Sequence, residues 1–149
     1  MEMMEAVGTM RQKNVSIDKD YFKKFDKIEL LYYPNSKRAM FTMGCDTLLK
    51  NGVFQVDSLQ ERVILDKEQE ESLNRIVSQN SGGNNPADCY MPKHAILFYR
   101  NNRVDSFIEI CFECNQSCSS FSSYYLGDIQ LNSLKPLFDE ILKTENDSL

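Results

Sequence analysis

Tryptophan is absent from this chain, histidine occurs once, as His94, and there are six glycines and four prolines in 149 residues. Such a composition excludes collagen-like, coiled-coil and disordered architectures. Long apolar runs are lacking too: the longest are a few residues, against the roughly 20 that a membrane span requires. Cations never gather. The 17 Lys+Arg stand singly or in short pairs such as Lys23-Lys24 and Lys37-Arg38, against 22 Asp+Glu and a net charge of −5. Nucleic-acid binding needs several cations converging on phosphates, so no nucleic-acid partner is expected. There is no glycine-rich phosphate loop, nucleophile elbow or HExxH pair, and no repeat of solenoid length. The opening Met1-Glu2-Met3-Met4-Glu5 is acidic where a secretory signal is basic, and no apolar segment follows it. The expected location is cytoplasmic as written, and exported or periplasmic if a leader precedes it.

What is present fits a protein domain of ordinary size. With 42% hydrophobic and 26% charged residues, a chain of this length buries roughly 68–70% of its unfolded surface and needs neither metal nor disulfide to fold. Residues 1–15, polar and Met-rich without periodicity, are expected to be a flexible arm, and residues 16–149 a single α+β domain.

Local patterns fill in that outline. Tyr21, Phe22 and Phe25 suggest a short helix capped by Ser16 or Asp18. Residues 27–33 form a β-branched and aromatic strand closed by Pro34-Asn35-Ser36. Strands near 39–43 and 53–56, separated by Asn51-Gly52, are the expected hairpin. Residues 62–65 read as a strand, and Asp66 with Gln69 as a capping box opening a helix over about 67–79 with Leu73, Ile76 and Val77 as its stripe. Ser81-Gly82-Gly83-Asn84-Asn85-Pro86 must be loop. The runs 94–99 and 104–112 predict a β-hairpin at about 94–112, with Ile108, Ile110 and Phe112 on the core face and Phe107, Glu109, Cys111 and Glu113 on the other. Residues 115–125 are Ser-rich and polar. A second helix is expected at about 134–144, with Ser133 as cap and Pro136 in the first turn, where its missing N–H costs nothing. The predicted fold is a mostly antiparallel sheet with two main helices packed on it.

Chemistry concentrates at the hairpin. Cys89, His94, Cys111 and Cys114 lie within 26 residues and have the composition of a three-cysteine, one-histidine zinc site. The requirement is geometric. In an extended strand Cys111 and Cys114 point to opposite faces, so they share an ion only if the strand breaks at Phe112. Zinc is therefore the one candidate cofactor. Cys89 and His94 could also act as nucleophile and base, with Glu109 or Glu113 orienting the ring, and Cys111 with Cys114 as a redox dithiol. The dithiol lacks the helix N-terminus that lowers thiol pKa in such motifs. The remaining reading is that the cysteines are small buried hydrophobes and His94 a structural side chain. The odd count of five, with Cys45 and Cys118, allows two bridges and a free thiol in an oxidising compartment.

Cys89-Tyr90-x-Pro92-Lys93-His94, Ile96-x-Phe98-Tyr99 and Ile110-Cys111-Phe112-Glu113-Cys114 resemble a group of small Bacteroidetes-type bacterial proteins with a CYxP[RK]H…ICFEC signature. The strong likeness covers residues 89–114, and a weaker one extends to 61–77 and 134–138. Some members of that group carry an export or lipoprotein leader. The resemblance implies no activity, but it implies that the hairpin matters as a unit.

The functional expectation is a small non-catalytic domain whose Cys/His hairpin is structural, through zinc or a disulfide. The alternative is a thiol-dependent enzyme or redox protein using Cys89, His94 and Cys111. A protein partner is compatible with the first reading, and the sequence names none.

Overall fold

Ala95-Ile96-Leu97-Phe98-Tyr99 is apolar at every position, a pattern that only a strand buried on both faces satisfies. It lies in the middle strand of the main sheet. The computed structural model describes residues 20–37, 45–79, 83, 90–120 and 124–142. Within these, the strands are β1 (Lys27–Tyr32), β2 (Leu49–Lys50), β3 (Val53–Phe54), β4 (Glu61–Ile64), β5 (His94–Arg100), β6 (Arg103–Cys111) and β7 (Gln116–Ser119). The helices are α1 (Lys67–Val77) and α2 (Asp128–Ile141). The main sheet has the order β4-β1-β5-β6-β7, every pairing antiparallel, and β2 and β3 form a separate ribbon. The architecture is α+β. No helix among the described residues is long and apolar enough to cross a membrane.

Each face of the sheet has its own core. On one, Ile28, Leu30, Ile96, Phe98, Ile108 and Ile110 meet Leu73 and Val77 of α1 and Leu131, Leu134 and Phe138 of α2. On the other, Leu31, Tyr33, Leu97 and Phe107 lie against Leu48 and Phe54 from the β2–β3 region. The sequence pattern assigns the core to the Ile108/Ile110 face alone. The second core exists because the ribbon folds back over the reverse face, with the Val104 N–H donating to the Gly52 carbonyl at 2.9 Å.

Several expectations are met locally. Asp66 caps α1, accepting from the Gln69 N–H at 2.8 Å while the Gln69 side chain accepts from the Asp66 N–H at 2.8 Å. Asn101 and Asn102, both at positive φ (55° and 65°), join β5 to β6 in a two-residue turn, the conformation that matches strand twist. The residue 21–24 helix is a 3-10 turn preceded by Asp20, which makes no side-chain cap; Ser16 and Asp18 lie outside the described residues. So does the expected strand at 39–43. Asn51-Gly52 does turn a hairpin, between strands of two residues each.

Two boundaries differ. α2 starts at Asp128, six residues before the expected 134, and Ser133 and Pro136 lie inside it. Gln130 sets that start. Its Oε1 accepts from the Gly127 N–H at 2.9 Å, and its Nε2 lies 3.3 Å from the Val77 carbonyl and 3.1 Å from that of Gln79, tying α2 to the end of α1. Burial of Leu131 and Leu134 carries the helix through Pro136 despite the lost backbone bond. The second difference is β7, a strand in the Ser-rich polar segment to which the sequence pattern assigns no element. Gln-Ser-Cys-Ser lacks strand-forming residues, and it pairs with β6 because the preceding turn directs it there.

Candidate functional site

β6 stops at Cys111, and residues 112–115 turn the chain into β7. Asn115 closes the turn at φ 58°, a conformation Asn tolerates better than most residues, and its N–H donates to the Phe112 carbonyl at 3.3 Å. This break supplies what an extended strand cannot. Cys111 and Cys114 come together with Cα atoms 5.6 Å apart and sulfurs at disulfide distance. Cys111 is buried, Cys114 is partly exposed, and the Cys114 N–H points at the Cys111 sulfur at 3.2 Å.

The register of the β6–β7 hairpin then sets up the face away from the helices. Cys111 pairs with Gln116, and Glu109 with Cys118. Directly opposed residues share a face, so Glu109, Cys111, Gln116 and Cys118 line one side. Cys45, the first residue of a 3-10 turn over Cys45–Leu48, approaches from above. Its Cα lies 6.2 Å from that of Cys118, 73 residues away in sequence, with the sulfurs again at disulfide distance. Both Cα separations fall within the ordinary disulfide range.

At the centre is Glu109, 0% exposed. The Tyr33 hydroxyl lies 2.9 Å from its Oε2 and 3.1 Å from the His94 carbonyl, and donates to both. The Tyr90 hydroxyl donates to Oε1 at 3.1 Å and stands 3.3 Å from the Cys118 sulfur. That sulfur is 3.7 Å from Oε1. Cys45, Glu109 and Cys118 place one ligand atom each within 4.8 Å of one another. Burying a carboxylate is costly unless donors or cations satisfy it, and two phenols are aimed at this one.

A second buried carboxylate lies on the same face with a different solution. Glu29, on β1, accepts from Arg62 Nε at 2.5 Å, from Arg62 Nη2 at 3.0 Å and from the Tyr99 hydroxyl at 2.6 Å. Burial by itself would raise its pKa, but the hydrogen bonds from Arg62 and Tyr99 outweigh it and hold the carboxyl below the usual range. Burial and the neighbouring carboxylate push the Tyr99 phenol up to about 12.

The residues singled out from sequence are distributed as follows. Cys89 lies outside the described residues. His94, 4% exposed, pairs with Ile110 and therefore faces the helices, on the side of the sheet opposite Glu109 and Cys111. There its ring stacks on Tyr32 at 4.9 Å and meets Phe112 and Phe138 edge-on at 5.1 and 5.4 Å. The other proposed orienter, Glu113, reaches outward to Lys93 Nζ at 3.2 Å on the surface. Cys111 and Cys114 are brought together, and His94 is kept from them by the sheet. Sequence reasoning counted Cys45 and Cys118 toward two possible bridges without pairing them, and gave Tyr33 and Tyr90 no role beside Glu109. Cys118 was within reach, since pairing Cys111 with Gln116 across a four-residue turn places it opposite Glu109. Cys45 carries no such signal.

Comparison with protein-family models, curated proteins and solved structures returns no match for this chain.

Proposed function

We propose that this chain is a non-catalytic α+β domain whose cysteine-bearing hairpin is structural, locked by Cys45–Cys118 and Cys111–Cys114 disulfides and working in an oxidising compartment. One observation carries the reading: four of the five cysteines meet in two pairs at disulfide distance on one face of β6–β7, while the sole imidazole is walled into an aromatic cage on the other. A nucleophile–base pair needs both groups on one side of the sheet, and Cys111 lies on the side opposite His94. Persistent disulfides belong to secreted and periplasmic environments, and the likeness to a bacterial group with exported members agrees with that. Thiol counting under denaturing conditions tests it: one free thiol before reduction and five after are expected from the two pairs. Five free thiols in protein recovered from an oxidising compartment would refute it.

A second reading has a specific observation in its favour. The Cys114 N–H directed at the Cys111 sulfur at 3.2 Å stabilises a thiolate there, and Cys114 is the more exposed member. Both are features of a dithiol that exchanges with external disulfides. Titration against a glutathione redox buffer separates the two. A structural bridge stays oxidised at ratios that reduce an exchange-active one.

A further inference from the structure

We propose that, in the reduced chain, Cys45, Cys118 and Glu109 form a zinc site. This is a donor set different from the Cys89/His94/Cys111/Cys114 grouping suggested by sequence spacing. The inference rests on the structural reading above and extends it: the bolt that is a disulfide under oxidising conditions is a metal clamp under reducing ones.

Two thiolates and a carboxylate oxygen are all accepted zinc ligands, and zinc–ligand bonds of about 2.0–2.3 Å put the donor atoms of a tetrahedron roughly 3.5–3.8 Å apart. Cys118 Sγ and Glu109 Oε1 already stand at 3.7 Å, and all three donors fit within 4.8 Å. Reduction only has to let the two sulfurs separate from disulfide distance to that spacing. Cys45 opens a short 3-10 turn and is only partly buried, so it is the side free to give. The fourth position is marked by the Tyr90 hydroxyl, 3.1 Å from Oε1 and 3.3 Å from Cys118 Sγ, where the phenol or a water completes the set.

Electrostatics points the same way. Glu109 is a carboxylate with no exposure; direct coordination of its oxygen to zinc would replace the solvation lost on burial, and the Tyr33 and Tyr90 hydroxyls offset the anionic charge that remains once the two thiolates have neutralised the ion. The three donors come from two distant stretches of chain, so a metal there joins the 45–48 turn to the sheet as the disulfide does. Tyr33, donating to the other oxygen at 2.9 Å, orients the carboxylate in the manner of an outer-shell partner. The chemistry balances simply. A dithiol such as dithiothreitol reduces Cys45–Cys118 and leaves as its own cyclic disulfide; each thiol then gives up a proton as the metal binds.

The test uses the full chain, reduced with dithiothreitol, freed of that reagent under argon and titrated with zinc chloride, then with cobalt chloride. Native mass spectrometry should show one zinc per chain. Cobalt should give a sulfur-to-metal charge-transfer band of two-thiolate strength and a tetrahedral visible spectrum. Cys45→Ser and Cys118→Ser should each abolish stoichiometric binding, whereas the double variant Cys111→Ser/Cys114→Ser should retain it. Glu109→Gln should weaken zinc affinity at least tenfold; circular dichroism on each variant separates lost ligation from lost folding, and Cys45→Ser, at the periphery, is the variant expected to stay folded. No metal uptake by the reduced wild-type chain overturns the proposal, as does uptake retained in Cys45→Ser or lost in a folded Cys111→Ser/Cys114→Ser. The thiol count of the oxidised chain tests the disulfide reading separately, so either idea can fail alone.

Discussion

The hydroxyl of Tyr33 bridges two paired strands, β5 and β6. It donates to the buried Glu109 carboxylate at 2.9 Å and lies 3.1 Å from the backbone carbonyl of His94, residues from neighbouring strands. Both acceptors are fully buried or nearly so. Replacing Tyr33 with Phe keeps the ring in the second core and strips one donor from a desolvated carboxylate. The expected loss is about 1–3 kcal/mol in urea unfolding. Tyr90→Phe, whose hydroxyl is in a half-buried residue, should cost less. Equal, negligible losses would show that neither phenol matters to Glu109.

The two cysteine pairs should differ sharply in what they contribute to stability. Cys45 and Cys118 are 73 residues apart, Cys111 and Cys114 only three. In the chain-entropy picture the long loop is worth about 4.5 kcal/mol and the short one about 2. Selective replacement of each pair by serine should therefore lower the melting temperature far more for Cys45/Cys118 than for Cys111/Cys114. The reverse order would place the stabilising constraint in the turn.

Acid should reach Glu29 only after most of the surface carboxylates. Its folded pKa lies below the unfolded value, because the hydrogen bonds from Arg62 and Tyr99 overcome burial. A depressed carboxylate contributes stability that is fully present above the unfolded pKa and is lost as pH falls through the folded one. Removing either donor lessens the depression, so the folded pKa rises toward the unfolded value. Arg62→Met and Tyr99→Phe should thus shift the acid-unfolding midpoint to higher pH, with little change in the slope of stability above neutrality. A midpoint unmoved in both variants would dispose of the linkage.

Gly52 sits at φ +78°, and a Cβ there would stand 2.7 Å from the Cβ of Arg103. Gly52→Ala combines a left-handed backbone with a collision at the start of β6, so a loss of more than about 1 kcal/mol is expected. Chemical denaturation against wild type measures it. Phe138→Ala, which empties the space between α2 and the sheet, should cost about 3–5 kcal/mol.

Local signals were the legible part of this fold. The Asp66–Gln69 box, the strand flanked by Pro34 and the β5–β6 hairpin all depend on neighbours in sequence, and period and turn chemistry reveal them. What escaped depends on partners far along the chain. β7 has no strand-forming residues and takes its conformation from β6. The early start of α2 depends on Gln130 finding carbonyls at the end of α1, more than 50 residues away. The candidate site divides the same way. Cys111 and Cys114 were visible as a motif with a stated geometric condition, which the turn at 112–115 meets. His94 was grouped with them by proximity in sequence, but pairing with Ile110 sends it through the sheet. Cys45 and Cys118 could be matched only by knowing that the ribbon folds over the reverse face.

The aromatic cage around the lone imidazole has a spectroscopic consequence. Tyr32, Phe112 and Phe138 surround His94 with ring centroids 4.9–5.4 Å away, and their circulating π electrons will displace the two imidazole C–H resonances from random-coil positions. Because no second histidine exists to overlap them, these signals form a built-in proton NMR reporter. They read the seating of α2 on the sheet through Phe138, and the turn between Cys111 and Cys114 through Phe112.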